Sequence, residues 1–233
     1  MTAPVHVIAT DRPRYYPLVD ALQERHGDRA AFHLIRDAGE LTPERLNDIA
    51  PRYVFFPHWS SRIPAAIHQH HECVIFHMTD VPYGRGGSPL QNLIVRGHTE
   101  TRLSALRCDE ELDAGPVYLK RSLSLAGSAE QILQRAGELM VDMIEWIVAQ
   151  EPQPEEQRGE PVIFQRRTPA QSTLANAQSL ADWFDHIRML DAEGYPPAFL
   201  DAGDLRLEFS DAEWHGTELQ ARVRIRPRDE DEQ

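Results

Sequence analysis

A histidine and an aspartate on either side of a glycine-rich segment are the residues of this chain best suited to acid/base chemistry. His77 ends the apolar run Cys73-Val74-Ile75-Phe76, and segment 82–88 is too rich in glycine and proline to continue as strand or helix. Asp113 stands further along, directly before an Ala-Gly-Pro sequence. A carboxylate in that place can orient the imidazole and favour its protonated form. The pair therefore predicts acid/base chemistry where a strand ends.

Alternating strands and helices have to bring these two residues together. Short β-rich runs are followed by segments with apolar residues at helical spacing, a pattern typical of a mostly parallel sheet with helical crossovers. The strands are predicted over residues 5–10, 32–36, 53–56, 73–76, 103–106 and 117–120, and helices over residues 17–25, 64–71 and 90–94. Thr42 and Pro43 open a further helix as its N-cap and first residue. These patterns predict an α/β fold.

A long helix and a proline-broken segment divide the rest of the chain. Ser128 and Gln131 form a capping box, and the apolar stripe that follows runs from Ile132 to Ile147. We expect a main domain over residues 1–150, a polar linker over residues 151–165 and a small C-terminal unit over residues 166–233. A helix, two antiparallel strands and a charged tail are predicted there, over residues 180–190, 205–209, 219–225 and 229–233.

The charge balance limits the class of binding partner. The 233 residues include 24 Lys and Arg against 37 Asp and Glu, a formal net charge of −13. Non-specific nucleic-acid binding needs a broad positive surface, so this balance disfavours a large RNA substrate. The cluster Gln165-Arg166-Arg167-Thr168-Pro169 is the best candidate for a phosphate contact, although basic clusters are more often solvated surface.

The cysteine and histidine content and the apolar runs bear on metal binding and location. Cys73 and Cys108 give neither a disulfide framework nor a metal-binding spacing, which favours a reducing compartment. Residues 68–72, His-Gln-His-His-Glu, lack a second ligand cluster, so we expect a solvated helix end and no metal site. The first residues show no basic flank before an apolar stretch, and no run approaches the roughly 20 residues of a membrane span. We therefore expect a cytoplasmic protein.

The histidine and aspartate segments carry motifs that resemble the folate-dependent formyltransferase family, which includes glycinamide ribonucleotide, methionyl-tRNA and sugar N-formyltransferases. The motifs are His77, the turn Val81-Pro82 followed by Arg85-Gly86, and Asp113-Ala114-Gly115-Pro116. Weaker similarity continues through residues 166–169, 187–190 and 195–199. The resemblance implies a formyltransferase catalytic domain, an α/β fold with a Rossmann-like, mostly parallel sheet, and a small C-terminal α+β appendage.

This resemblance implies transfer of a formyl group from 10-formyltetrahydrofolate to an amine. His77 would be the acid/base and, when protonated, would stabilise the tetrahedral oxyanion, while Asp113 would hold its charge and orientation. The folate would bind at Phe56, Pro57, His58, Trp59 and Asp113, although Trp59 is equally suited to cap the core. The amine substrate would contact Thr79, Tyr83, Arg85, Gly86, Gly87, Arg166 and Arg167.

One position departs from the family pattern. The family has an asparagine two residues before the histidine, with its amide directed at the formyl group, and this chain has Ile75 there. Loss of one oxyanion donor costs roughly a hundredfold in rate in comparable enzymes, so either another group such as Thr79 replaces it or the activity is altered. The sequence Phe76-His77-Met78-Thr79-Asp80 resembles the sugar N-formyltransferases of pseudaminic acid biosynthesis, which favours replacement.

The expected function is N-formylation of the amino group of a nucleotide-linked deoxyamino sugar. The resemblance to sugar-modifying members and the acidic charge balance both favour this acceptor. Two alternatives stay open: methionyl-tRNA formylation, disfavoured by the charge and the short C-terminal segment, and a catalytically silent folate-binding protein, which Ile75 would mark. The apolar residues of the C-terminal unit suggest a homodimer; they are Trp183, Phe184, Phe199 and Phe209.

Overall fold

The computed structural model describes residues 3–228, so the predicted charged tail at residues 229–233 lies outside the described residues. Its strands are β1 (Val5–Ala9), β2 (Ala31–Ile35), β3 (Tyr53–Phe56), β4 (Cys73–His77), β5 (Tyr83–Gly86), β6 (Glu100–Arg107), β7 (Val117–Ser124), β8 (Val162–Phe164), β9 (Ala198–Ala202), β10 (Leu205–Trp214) and β11 (Leu219–Pro227). The largest sheet has six strands in the order β2-β1-β3-β4-β6-β7. Strands β1 to β4 pair in parallel, and β6 adds antiparallel to β4. The predicted α/β fold with a mostly parallel sheet is confirmed.

Six α-helices connect and flank these strands in the described part of the chain: α1 (Pro17–His26), α2 (Pro43–Ile49), α3 (Ala65–His68), α4 (Pro89–Val95), α5 (Ala129–Gln150) and α6 (Leu180–Arg188). The predicted caps are present: Thr42 accepts a hydrogen bond from the Arg45 N–H, and Ser128 and Gln131 bond reciprocally ahead of α5. Across residues 3–228, every helix falls short of the length and apolar character that crossing a membrane requires.

The described residues pack as two compact units that interleave along the chain. The first unit holds everything up to Gly86, together with Arg102–Leu123 and Gln134–Ile163. The second holds Gly87–Thr101, Ser124–Leu133 and everything from Phe164 onward. This grouping differs from a division at residue 150, because α4 and the start of α5 pack with the C-terminal elements. The assignment of residues 1–150 as a catalytic domain stays a prediction about function.

The second unit contains a three-stranded antiparallel sheet in the order β11-β10-β9. Strand β9 was not expected from the sequence, since prolines precede it and its five residues show no alternation of apolar and polar side chains. Two edge-to-face ring contacts pack α6 against β10. The ring centroids lie 5.5 Å apart between Trp183 and Phe209 and 5.9 Å apart between Phe184 and Trp214. These aromatic side chains therefore serve packing inside the unit, and the homodimer stays a prediction.

Segment 82–88 was expected to be a loop that could not continue as a strand, and this expectation is wrong. Tyr83–Gly86 forms β5, which pairs with β8 in a two-stranded sheet, and β8 lies inside the predicted linker 151–165. The main-chain bond from the Val162 N–H to the Pro82 carbonyl, 3.1 Å, begins this pairing. Strand β5 has only four residues, two of them glycines, so it shows no alternation of apolar and polar side chains. Its partner β8 is also far away in sequence, and the local pattern therefore could not predict the strand.

His6 is a buried basic side chain in the first unit. It lies on β1 and is 1% exposed. Its ring stacks on Tyr53 at a centroid distance of 5.9 Å and packs at a tilt against Phe32 at 5.2 Å. Within residues 3–228, neither ring nitrogen has a hydrogen-bond partner. Burial, reinforced by the positive charges of His26 and Arg52, lowers the pKa of His6 from 6.5 to about 4.

We expect His6 to make the free energy of unfolding depend on pH. Between pH 6.5 and about 4 the unfolded chain binds a proton at this residue and the folded chain does not, so stability falls as the pH drops through that window. The loss should be at most about 3 kcal/mol. Urea unfolding near neutral pH and at about pH 5 measures it. His6→Leu should flatten the dependence, whereas His33→Leu, on an exposed position of β2, should not; equal slopes in both variants would contradict this assignment.

Candidate functional site

His77 stands at the last position of β4, inside the first unit, and is 7% exposed. Its Nε2 lies 2.7 Å from the carbonyl oxygen of Gly84. Because a carbonyl oxygen only accepts, Nε2 carries the hydrogen in this contact. The opposite ring nitrogen, Nδ1, is left to face the aspartate. The fold thus fixes the orientation of the imidazole from both edges of the ring.

Asp113 is the residue that faces this imidazole. Its Oδ2 lies 3.5 Å from the His77 Nδ1, and the same oxygen accepts a hydrogen bond of 2.9 Å from the Gly86 N–H. Asp113 adopts a left-handed backbone conformation, with φ of 54°, which aspartate tolerates better than most residues. The structure therefore brings together the two residues that the sequence singled out, and both are buried.

Strand β5 is the structural link between the two residues. Its Gly84 carbonyl binds His77, and its Gly86 N–H binds Asp113. Both glycines have positive φ, 78° and 106°, and this backbone shape is open to glycine and costly for other residues. The glycines thus let the main chain approach both catalytic candidates closely.

A tight turn after Asp113 fixes its backbone. A Cβ placed on Gly115 would lie 1.9 Å from the carbonyl oxygen of Arg107, at the end of β6. The Arg107 N–H in turn donates to the Pro116 carbonyl at 2.8 Å. Glycine at position 115 is therefore required for the turn to lie against β6, and this contact explains the Asp-Ala-Gly-Pro sequence.

Gln157 is a residue near the site that sequence reasoning missed. Its Nε2 donates to the carbonyls of Asp113 and Gly115, each at 2.8 Å, and its Oε1 accepts from the guanidinium of Arg85 at 2.9 and 3.0 Å. Arg85 also lies 3.5 Å from a carboxylate oxygen of Glu111. Gln157 belongs to the segment that was expected to be a linker. Its polar side chain resembles those of its neighbours, so the local sequence does not mark it as a site residue. Arg85, expected to contact substrate, is engaged with protein groups.

Ile75 lies two residues before His77, at the position where the resemblance implied an asparagine. It is partly buried in the middle of the sheet, in register with Phe56 on β3 and Leu106 on β6. The expected replacement, Thr79, is buried and its hydroxyl lies 3.3 Å from the Gly84 carbonyl, the same oxygen that binds His77. Thr79 therefore supports the imidazole through Gly84.

The residues expected at the folate follow β3 in the first unit. Phe56 and Pro57 are buried, and His58 has a positive φ of 55°. Trp59 packs edge-to-face on Phe56 at 5.7 Å, which makes it a core residue, but its Nε1 is buried with no hydrogen-bond partner within residues 3–228. Leu112, next to Asp113, is 69% exposed.

Tyr83, one of the residues expected to contact the amine substrate, begins β5. Its N–H donates to the Asp80 carbonyl at 3.2 Å.

The remaining expected substrate residues lie in the second unit. A Cβ on Gly87 would come within 2.6 Å of the Arg166 backbone, so the two segments are in close contact there. The Arg167 N–H donates to the Ser88 Oγ at 3.0 Å, and its guanidinium donates to the Gln171 carbonyl at 2.6 Å. Burial lowers the pKa of Arg167. Within residues 3–228, neither arginine forms an ion pair with a carboxylate.

One amide holds this part of the second unit together. The Asn92 Nδ2 lies 2.9 to 3.0 Å from the carbonyls of Gly87, Ser88 and Gln165, while its Oδ1 accepts from Arg96 at 2.9 Å.

Among the described residues, no group of three or more His, Cys, Asp or Glu side chains is arranged to hold a metal ion.

We compared the chain with known proteins and protein families. A family model described as "Methionyl-tRNA formyltransferase, C-terminal domain" matches residues 169–226. A solved structure described as methionyl-tRNA formyltransferase from Clostridium thermocellum is 42% identical, with a TM-score of 0.93, covering 96% of this chain and 99% of that one. That degree of identity over nearly the whole of both chains shows the family. The chain belongs to the formyltransferase family.

Other similarities are more distant. The methionyl-tRNA formyltransferase of Dichelobacter nodosus is 26% identical over 196 residues, which is 72% of this chain and 58% of that protein. The chain thus spans little more than half the length of this curated relative. A sugar N-formyltransferase from a Shewanella species shares the fold, with a TM-score of 0.68 at 15% identity, covering 86% of this chain and 94% of that one.

We expect Gly115→Ala to destabilise the chain by about 1–3 kcal/mol, because its methyl group has to displace either the Asp113 turn or the end of β6. Gly39→Ala is a matched control, since the only contact within 3.4 Å of its added methyl group is an oxygen of the exposed Asp37 carboxylate and no main-chain atom. Urea unfolding of both variants measures the difference. Equal stabilities would mean that the turn is not held against β6.

Proposed function

We propose that this chain transfers a formyl group from 10-formyltetrahydrofolate to a primary amine. The single observation that carries the proposal is the buried pair of His77 and Asp113, whose side chains lie 3.5 Å apart. Formyl transfer needs a group that accepts the proton of the attacking amine and donates to the oxygen that becomes negative. An imidazole held by a carboxylate can do both, and membership of the formyltransferase family supports this reaction class.

The two residues would divide the work as follows. As the amine adds to the formyl carbon, His77 would stabilise the developing charge on oxygen. When the bond between the formyl carbon and the donor nitrogen breaks, His77 would pass a proton to that nitrogen and take one back from the amine that has formed the new bond. Its Nε2 hydrogen is bound to the Gly84 carbonyl in the structure, so the imidazole would exchange this contact for the substrate during the reaction. Asp113 would balance the positive charge on the ring, and the Gly86 N–H keeps its carboxylate in place.

The donor would bind among residues that follow β3 and precede Asp113. A pterin ring is flat and carries hydrogen-bonding groups on its edge, and 10-formyltetrahydrofolate supplies the activated formyl group. The aromatic pair Phe56 and Trp59, the unpartnered Trp59 Nε1 and the exposed Leu112 side chain suit such a ring. His58, Pro57 and Asp113 complete the expected set.

The comparisons favour methionyl-tRNA as the acceptor over the amino sugar that the sequence predicted. The family model, the relative from Dichelobacter nodosus and the structure from Clostridium thermocellum carry methionyl-tRNA formyltransferase in their names. The similarity to a sugar N-formyltransferase supports the fold alone, because the identity is only 15%. The specific resemblance to enzymes of pseudaminic acid biosynthesis therefore stays a hypothesis.

A nucleotide-linked amino sugar is the second candidate acceptor, and the charge of the chain favours it. A formal net charge of −13 opposes the approach of a large polyanion. A nucleotide-linked sugar needs only a local cationic contact for its phosphates. Arg166 and Arg167, which form no ion pair with a carboxylate in the described part of the chain, are suited to that contact.

We expect His77→Asn to lower the rate of formyl transfer by at least about a hundredfold without unfolding the protein, because asparagine cannot exchange a proton. Asp113→Asn should also lower the rate, since it keeps an oxygen for the Gly86 N–H and loses the negative charge. Release of tetrahydrofolate, followed with each acceptor, measures the rate. A His77→Asn variant with the wild-type rate would rule out His77 as the acid/base.

A direct comparison of acceptors separates the candidates. The protein is incubated with 10-formyltetrahydrofolate and either methionyl initiator tRNA or a panel of UDP- and dTDP-linked amino sugars, and formylated product is identified by mass spectrometry. A tRNA acceptor should also show binding that weakens steeply with salt, because phosphate contacts release counterions. Folate binding without any product from either acceptor class would instead support a catalytically silent folate-binding protein.

A further inference from the structure

Gln157 lies in the segment that follows α5, and the backbone of this segment is fixed just before it. The Val117 N–H donates to the Glu155 carbonyl at 2.7 Å, and the Glu155 N–H donates back to the Val117 carbonyl at 2.9 Å. Gln157 therefore extends from a backbone position anchored to the start of β7. A side chain held in this way is suited to holding other groups in place.

The Gln157 amide uses both ends in hydrogen bonds to protein. Its NH₂ group donates to the Asp113 and Gly115 carbonyls, each at 2.8 Å, and its oxygen accepts from Arg85 at 2.9 and 3.0 Å. The carbonyls can only accept and the guanidinium can only donate, so the orientation of the amide is fixed. Glutamine is thus chemically required here: glutamate would keep the arginine contact and lose both donors.

These contacts connect the two segments that hold the catalytic candidates. One segment, residues 113–115, places the Asp113 carboxylate through a left-handed backbone. The other, β5, carries Arg85 between Gly84, which binds His77, and Gly86, which binds Asp113. We infer that Gln157 is a positioning residue for formyl transfer, fastening the Asp113 turn to β5 so that the carboxylate stays against the imidazole. This inference rests on the proposed function of His77 and Asp113.

The test compares Gln157→Glu with Gln153→Glu, which makes the same change on an exposed residue of the same segment. We expect kcat/KM for formyl transfer to fall at least about tenfold in Gln157→Glu and to stay at the wild-type value in Gln153→Glu. Thermal unfolding checks that both variants fold. Should Gln157→Glu fail to fold, Gln157→Met, which has a similar volume and no charge, supplies the measurement.

A role through Asp113 has two signatures that a merely structural role lacks. Asp113→Asn combined with Gln157→Glu should be no slower than Asp113→Asn alone, and the pH profile of kcat/KM should change in Gln157→Glu in the same direction as in Asp113→Asn. Multiplicative losses and an unchanged profile would overturn the inference.

One readout is independent of turnover. The NMR resonances of the His77 ring should shift in Gln157→Glu and not in Gln153→Glu. If the wild-type chain forms no product but these resonances shift as expected in Gln157→Glu, the proposed function is contradicted and Gln157 remains the residue that positions the pair. An active wild type with unchanged His77 resonances in Gln157→Glu would overturn the Gln157 inference alone.

Discussion

The candidate site depends on one carboxylate oxygen that lies against both the imidazole ring and a main-chain N–H. The Asp113 Oδ2 faces the His77 Nδ1 and also accepts a hydrogen bond from the Gly86 N–H, so it connects the end of β4 to the end of β5. This arrangement needs an aspartate with an unusual backbone conformation and a strand that brings its main chain within hydrogen-bonding distance. The turn at Gly115 and the glycines of β5 meet those two requirements, and the surrounding fold holds them in place.

The polar groups around His77 come from the backbone of β5 and from Asp113. Ile75 on β4 supplies only packing between β3 and β6. The His77 Nε2 and the buried Thr79 hydroxyl both contact the Gly84 carbonyl oxygen, and the Asp113 carboxylate lies at the opposite edge of the ring. The orientation of the imidazole is therefore sensitive to the position of β5, because main-chain groups move only with their strand.

The sequence was sufficient for features that depend on local patterns and insufficient for those that depend on distant pairing. The parallel strands carry their signal in apolar runs, and the caps at Thr42 and Ser128 need only residues three positions apart, so these predictions agree with the structure. His77 and Asp113 were found because both sit beside chain-breaking residues. Strand β5 and Gln157 were missed because their partners lie some seventy residues away in sequence, and nothing in their own neighbourhood marks them.

The single amide of Asn92 restricts which residue can stand at that position. Its nitrogen lies within hydrogen-bonding distance of three carbonyl oxygens, and Arg96 fixes which way round the amide points. Aspartate has the same shape as asparagine, but it would put a carboxylate oxygen where the donor nitrogen now stands. Oxygen lone pairs would then oppose each other at three places although the size of the side chain is unchanged. The exchange of one NH₂ group for an oxygen would therefore loosen the second unit without any change in the residues assigned to catalysis.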